Sequence, residues 1–89
     1  MANKRTLKHA INCICEDLFA GTIAASLYGA ENHKENAEAL LFSIVKMRRD
    51  YISRVSHPEP GMAPSFYFKK LRESFSAQVG ELIDQIDNL

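Results

Sequence analysis

Residues 54 to 68 read RVSHPEPGMAPSFYF, and this is the one stretch of the chain where helical periodicity clearly stops. It holds all three prolines of the sequence. Pro58 disfavours helical geometry at His57, which precedes it. Pro64 instead suits the first turn of a new helix. The stretch therefore predicts a short turn that separates two helices and keeps them from merging.

Outside this turn, apolar residues recur at helical spacings of three and four. The predicted helices cover residues 4–28, 33–56 and 64–88. Gly29 is a C-terminal stop for the first helix, and Asn32 with Glu35 is the N-cap and capping-box partner of the second. Short connections make neighbouring helices antiparallel. The predicted fold is all-α: one domain over residues 1–89, an up-down-up antiparallel three-helix bundle that self-associates.

Each predicted helix carries one apolar stripe for the core. The stripes comprise Leu7, Ile11, Ile14, Leu18 and Ala25 in the first helix; Ala37, Leu41, Ile44, Ile52 and Val55 in the second, flanked by Leu40, Val45 and Tyr51; and Phe68, Leu71, Phe75, Val79, Leu82, Ile86 and Leu89 in the third. Arg48 falls on the second stripe. A guanidinium there should snorkel to solvent or form an ion pair, with Asp17 or Glu73 at compatible heights.

Composition indicates an ordinary ordered protein. The 89 residues are 46% hydrophobic and 25% charged, with a formal net charge of zero. No apolar run approaches the roughly 20 residues needed to span a bilayer. The basic N-terminal segment lacks a cleavage signature of small residues. We therefore expect a cytoplasmic protein with reduced cysteines and no membrane partner.

The sequence contains no recognisable catalytic, cofactor or metal motif. Cys13 and Cys15 are two residues apart on a helix, so they point about 200° apart and can hardly share a metal ion. Cys15 borders the core stripe and Cys13 points outward. The three histidines form no cluster. His57 and Glu59 could be imagined as an acid–base pair, but a structural turn is the favoured interpretation. We expect a protein that is not an enzyme and uses no cofactor or metal.

The first helix has a second apolar face, which predicts self-association. Between Leu18 and Tyr28 it is apolar nearly all round, whereas a bundle helix normally shows water a polar face. In the second helix, Phe42 also lies off the core stripe. The candidate interface, called the apolar patch below, comprises Phe19, Ala20, Ile23, Leu27 and Phe42. A homodimer with a further, unidentified protein partner is the leading hypothesis; the alternative is a tilted bundle that covers these residues, with Phe66 or the turn helping.

Charge is distributed unevenly along the predicted bundle. One end collects ten Lys and Arg side chains against three acids, and the other collects six acids against one lysine. The candidate anion-binding residues, called the basic set below, are Lys4, Arg5, Lys8, Arg49, Arg54, Lys69, Lys70 and Arg72. The second hypothesis is therefore an anion- or nucleic-acid-binding module, with Tyr51 and Tyr67 available for base stacking. A solvated surface with salt bridges is the alternative interpretation of the same pattern.

Overall fold

The computed structural model describes residues 4–28 and 34–89, and in this part of the chain all regular structure is helical. The three helices are α1, Lys4–Tyr28; α2, Lys34–Ser56; and α3, Pro64–Asp87. They pack against one another, which confirms the all-α prediction. The predicted stop at Gly29 and the predicted cap at Asn32 lie outside the described residues.

The segment between α2 and α3 is a turn, as the proline pattern predicts. Ala63 takes the extended N-cap conformation of α3, with φ −60° and ψ 132°, and Pro64 follows in the first helical turn. Gly61 has φ +87°, a left-handed conformation that a side chain would strain. The turn therefore depends on the left-handed conformation of Gly61 and on the extended conformation of Ala63 before Pro64.

The core is formed by one stripe from each helix. Its buried apolar residues are Ile11, Cys15, Leu18, Ala37, Leu40, Ile44, Met47, Tyr51, Val55, Leu71, Phe75 and Leu82. Tyr51 is fully buried; its hydroxyl is hydrogen-bonded to Ser74 Oγ at 2.6 Å, and its ring meets Phe75 edge-on with centroids 5.1 Å apart. These contacts tie α2 to α3.

The buried face of α2 is rotated from the predicted one. It runs through Leu40, Ile44, Met47, Tyr51 and Val55. Leu41 is only half-buried, and Arg48 is exposed. Arg48 is therefore not part of the buried core, and its exposure agrees with the alternative in which the guanidinium reaches solvent. Arg48 Nη1 donates a hydrogen bond to Asn12 Oδ1 at 3.3 Å, and among the described residues it pairs with neither Asp17 nor Glu73.

The buried face of α1 also differs at two positions. Ile14 is 39% exposed, so its assignment to the core is wrong. Thr22 is fully buried, and its hydroxyl donates to the Leu18 carbonyl at 2.8 Å. A threonine is tolerated there because its one polar group is satisfied within its own helix. The stripe through Ile11, Cys15, Leu18 and Thr22 leaves the opposite side of α1 in contact with solvent.

Candidate functional site

Most residues of the apolar patch are exposed to solvent. Leu27 is 75% exposed, Phe42 is 70% exposed and Ile23 is 40% exposed. Ala20 is exposed as well, whereas Phe19 is half-buried and packs against the core. Water therefore contacts Ile23, Leu27 and Phe42, whereas Phe19 packs against the core.

The positions of these side chains on their helices explain their exposure. At 100° per residue, Ala20 and Leu27 lie about 180° and 160° from Ile11, the centre of the buried stripe of α1. Phe42 lies about 160° from Ile44 on α2. Phe66 of α3, which could have contributed cover, is itself 49% exposed. Water therefore reaches apolar side chains on the outer faces of α1 and α2.

A hollow between α1 and α2 borders this patch. It has a volume of about 360 Å³, and Phe19 and Val45 form part of its apolar wall. Glu16 and Arg48 line the same hollow, so charged side chains of both signs stand beside the apolar surface. An apolar centre with a polar margin is the usual composition of a protein interface.

The basic set is exposed except for Lys8, which is half-buried. Arg5 and Lys8 line one hollow with Asn12, and Arg49 lines a neighbouring hollow that also includes Asn12. Bases from the first half of α1 and the second half of α2 are thus brought near one another. Within the basic set, Arg54 forms an ion pair with Asp50 at 3.1 Å, and both side chains are well exposed.

The tyrosines are poorly placed for base stacking. Tyr51 is completely buried, so its predicted role as a stacking surface is wrong. The Tyr67 hydroxyl donates to the Arg54 carbonyl at 2.9 Å, and its ring packs edge-on against Phe68 at 5.3 Å. Arg54 covers the Tyr51 ring at 4.9 Å, as a cation–π contact. These aromatic rings contribute to packing.

The two cysteines have different environments. Cys15 is buried, and this burial raises the pKa of its thiol, while the nearby Arg48 acts in the opposite direction. Cys13 is exposed, as expected, and its Sγ lies 3.5 Å from His9 Nε2. The sequence prediction compared Cys13 with Cys15 and overlooked His9, one helical turn away. The four-residue spacing was the available signal.

The turn between α2 and α3 contains no assembled site among the described residues. His57 and Glu59 are both exposed. No group of three or more Cys, His, Asp or Glu side chains converges in the described parts of the chain. A hollow of about 310 Å³ at the other end of α3 is lined by uncharged residues such as Asn36 and Gln85.

The segment Lys4–Leu27 of α1 is long and apolar enough to cross a membrane, by length and composition alone. Of the most apolar 18-residue stretch of this segment, only 22% is buried against the rest of the chain. Core helices of soluble proteins and signal sequences also meet these criteria.

No protein-family model, curated protein or solved structure matches this chain.

Proposed function

We propose that this protein is a non-enzymatic protein–protein interaction module of the cytoplasm that forms a homodimer through its apolar patch. The observation that carries the proposal is the exposure of Leu27 and Phe42, at 75% and 70% of their surfaces. Large apolar patches exposed on a soluble protein usually mark an interface. A two-fold dimer is the commonest way to cover such a surface with a second copy.

We further propose the up-down-up arrangement for the three helices. The hydrogen bond from Arg48 to Asn12 supports it, because it joins the second half of α2 to the first half of α1. The bond from Tyr67 to the Arg54 carbonyl supports it too, because it joins the start of α3 to the end of α2. In this arrangement the outer faces of α1 and α2 are adjacent, so that one partner surface can cover both.

The first experiment measures molar mass by light scattering at micromolar concentration. We expect about twice the 10.0 kDa of the chain for the wild type and a monomer for Ile23→Glu. The glutamate would place a charge in an apolar contact, where its desolvation is costly. Ile83→Glu is the matched control, because Ile83 is 45% exposed on α3, outside the patch. A monomeric wild type, or equal effects of the two substitutions, would contradict the proposal.

A second candidate function, anion or nucleic-acid binding, is favoured by the exposure of the basic set, in which Arg54 pairs with Asp50. Exposed lysines and arginines are available to phosphate groups. Since no base-reading element is present among the described residues, binding should be independent of sequence, with a Kd of roughly 10⁻⁴–10⁻⁶ M at physiological salt.

Titration with labelled single- and double-stranded oligonucleotides tests this second function. Affinity should fall as salt rises, and Arg49→Glu combined with Lys70→Glu should lower it further. Glu81→Gln with Asp84→Asn, on the second half of α3, is the charge-change control and should have little effect. Absence of binding at about 100 µM protein, where non-specific binders register, would exclude the nucleic-acid role.

A further inference from the structure

We infer that His9 and Cys13 of α1 form one half of a zinc site, which the same two residues of a second copy of the chain complete. The inference rests on the homodimer proposed above and adds a ligand and an orientation to it. In the resulting site, each copy supplies one imidazole and one thiolate to a single tetrahedral ion.

The separation of the two ligand atoms fits zinc. Cys13 Sγ and His9 Nε2 are 3.5 Å apart. Zinc binds sulfur at about 2.3 Å and nitrogen at about 2.0–2.1 Å, and a tetrahedral angle between those bonds separates the two ligand atoms by about 3.6 Å. Both residues are exposed, so a metal ion can reach them. The distance between the two ligand atoms is therefore compatible with one shared zinc ion.

One chain alone supplies too few ligands. Structural zinc sites take four nitrogen or sulfur ligands, and no third ligand joins His9 and Cys13 among the described residues. Glu16 follows on the same side of α1 without completing such a group. A second copy doubles the pair to two histidines and two cysteines, one of the common structural zinc sets.

The position of the pair on α1 indicates how the copies meet. At 100° per residue, His9 and Cys13 lie within about 40° of Ala20 and Leu27, in one stripe along the helix. If two α1 helices pair in parallel along this stripe, His9 and Cys13 of one copy lie next to His9 and Cys13 of the other. Leu27 of one copy then contacts Leu27 of the other. Antiparallel pairing centred on Ala20 would separate the two halves of the zinc site. The inference therefore requires a parallel α1 pair.

The charge balance of the assembled site is favourable. On binding, each Cys13 thiol releases a proton and coordinates as thiolate. The two thiolates cancel the two positive charges of the metal, and both histidines bind as neutral imidazoles. The assembled site has no net charge, and the bases Arg5 and Lys8 and the acid Glu16 of each copy lie beside it on α1. A mixed nitrogen and sulfur set with tetrahedral geometry favours zinc over magnesium or calcium.

The test uses reduced, metal-free protein titrated with Zn²⁺ and, as a spectroscopic probe, Co²⁺. We expect one metal ion per two chains and a thiolate-to-cobalt charge-transfer band. Cys13→Ser and His9→Ala should each weaken metal binding at least about 10-fold, since each removes two of four ligands from the dimer. Cys15→Ala and His57→Ala are the matched controls, and both should bind metal like the wild type.

Molar mass measured with EDTA and with Zn²⁺ separates this inference from the proposed function. A dimer in EDTA that binds no metal through Cys13 would overturn the zinc site and leave the apolar dimer standing. A monomer in EDTA that dimerises with Zn²⁺ only when Cys13 is present would support the site and refute dimerisation by the apolar patch alone. One metal ion per chain, or unchanged binding by Cys13→Ser, would overturn the inference.

Discussion

Phe42→Ala should weaken the homodimer strongly and leave the folded monomer almost unchanged. Phe42 is 70% exposed in the single chain. A phenylalanine presents about 200 Å² to bury, so roughly 140 Å² per copy is available to a partner. Truncation to alanine removes about two-thirds of that area, or roughly 2 kcal/mol per copy at about 25 cal/mol per Å². If both copies bury the ring fully, the loss is about 4 kcal/mol.

This loss corresponds to an increase in the dimer Kd of about 1,000-fold, or of about 30-fold if half the area is buried. Sedimentation equilibrium over a dilution series measures the Kd. Urea denaturation of the dilute monomer should show a change within about 0.5 kcal/mol, because an exposed ring contributes little to the core. Phe66→Ala is the control, since Phe66 is 49% exposed on α3 and outside the patch. A dimer Kd unchanged by Phe42→Ala would falsify the assignment of this residue to the interface.

Three further predictions concern the interior, the exposed Arg48 and the thiols. Tyr51→Phe and Ser74→Ala should each lower the free energy of unfolding by about 0.5–1.5 kcal/mol in denaturant melts. The double variant should lose less than the sum of the two, because both substitutions remove the same hydrogen bond. Strict additivity of the two losses would contradict this prediction. Arg48→Ala should lower the free energy of unfolding by about 0–1 kcal/mol, as expected for an exposed charge. A loss of about 3–5 kcal/mol would instead indicate a buried ion pair. Iodoacetamide should alkylate Cys13 faster than Cys15 as followed by peptide mass spectrometry, because burial shields Cys15 and raises its pKa; equal rates in the native protein would be contrary to the structure.

The sequence alone determined the number of helices and the turn between α2 and α3, because local chemistry decides them. Pro58 disfavours helix at the residue before it, Pro64 starts α3, and Gly61 takes a conformation that other residues avoid. The α3 stripe was also correctly identified, since Leu71, Phe75 and Leu82 of that stripe are buried. The helix count and the turn depend on neighbours only a few residues away.

Tertiary structure alone decided which face of α2 is buried. Two stripes on that helix share Ile44 and Val55; one continues through Arg48 and the other through Met47 and Tyr51. They differ by less than 100° around the helix, so periodicity barely distinguishes them. The contact of Tyr51 with α3 selects the second, and Arg48 is left at the surface.

For the apolar patch too, the sequence predicts one part and tertiary packing decides the other. The second apolar face of α1 was visible in the sequence, because Ile23 and Leu27 recur four residues apart on a helix. Whether the rest of the chain covers them was not visible, because cover depends on where α2 and α3 pack. The tertiary structure places those helices against Ile11 and Thr22, on the opposite side of α1, and leaves Leu27 to water. Periodicity specifies which residues share a helical face, whereas only the packing of the three helices specifies which face is buried in the core.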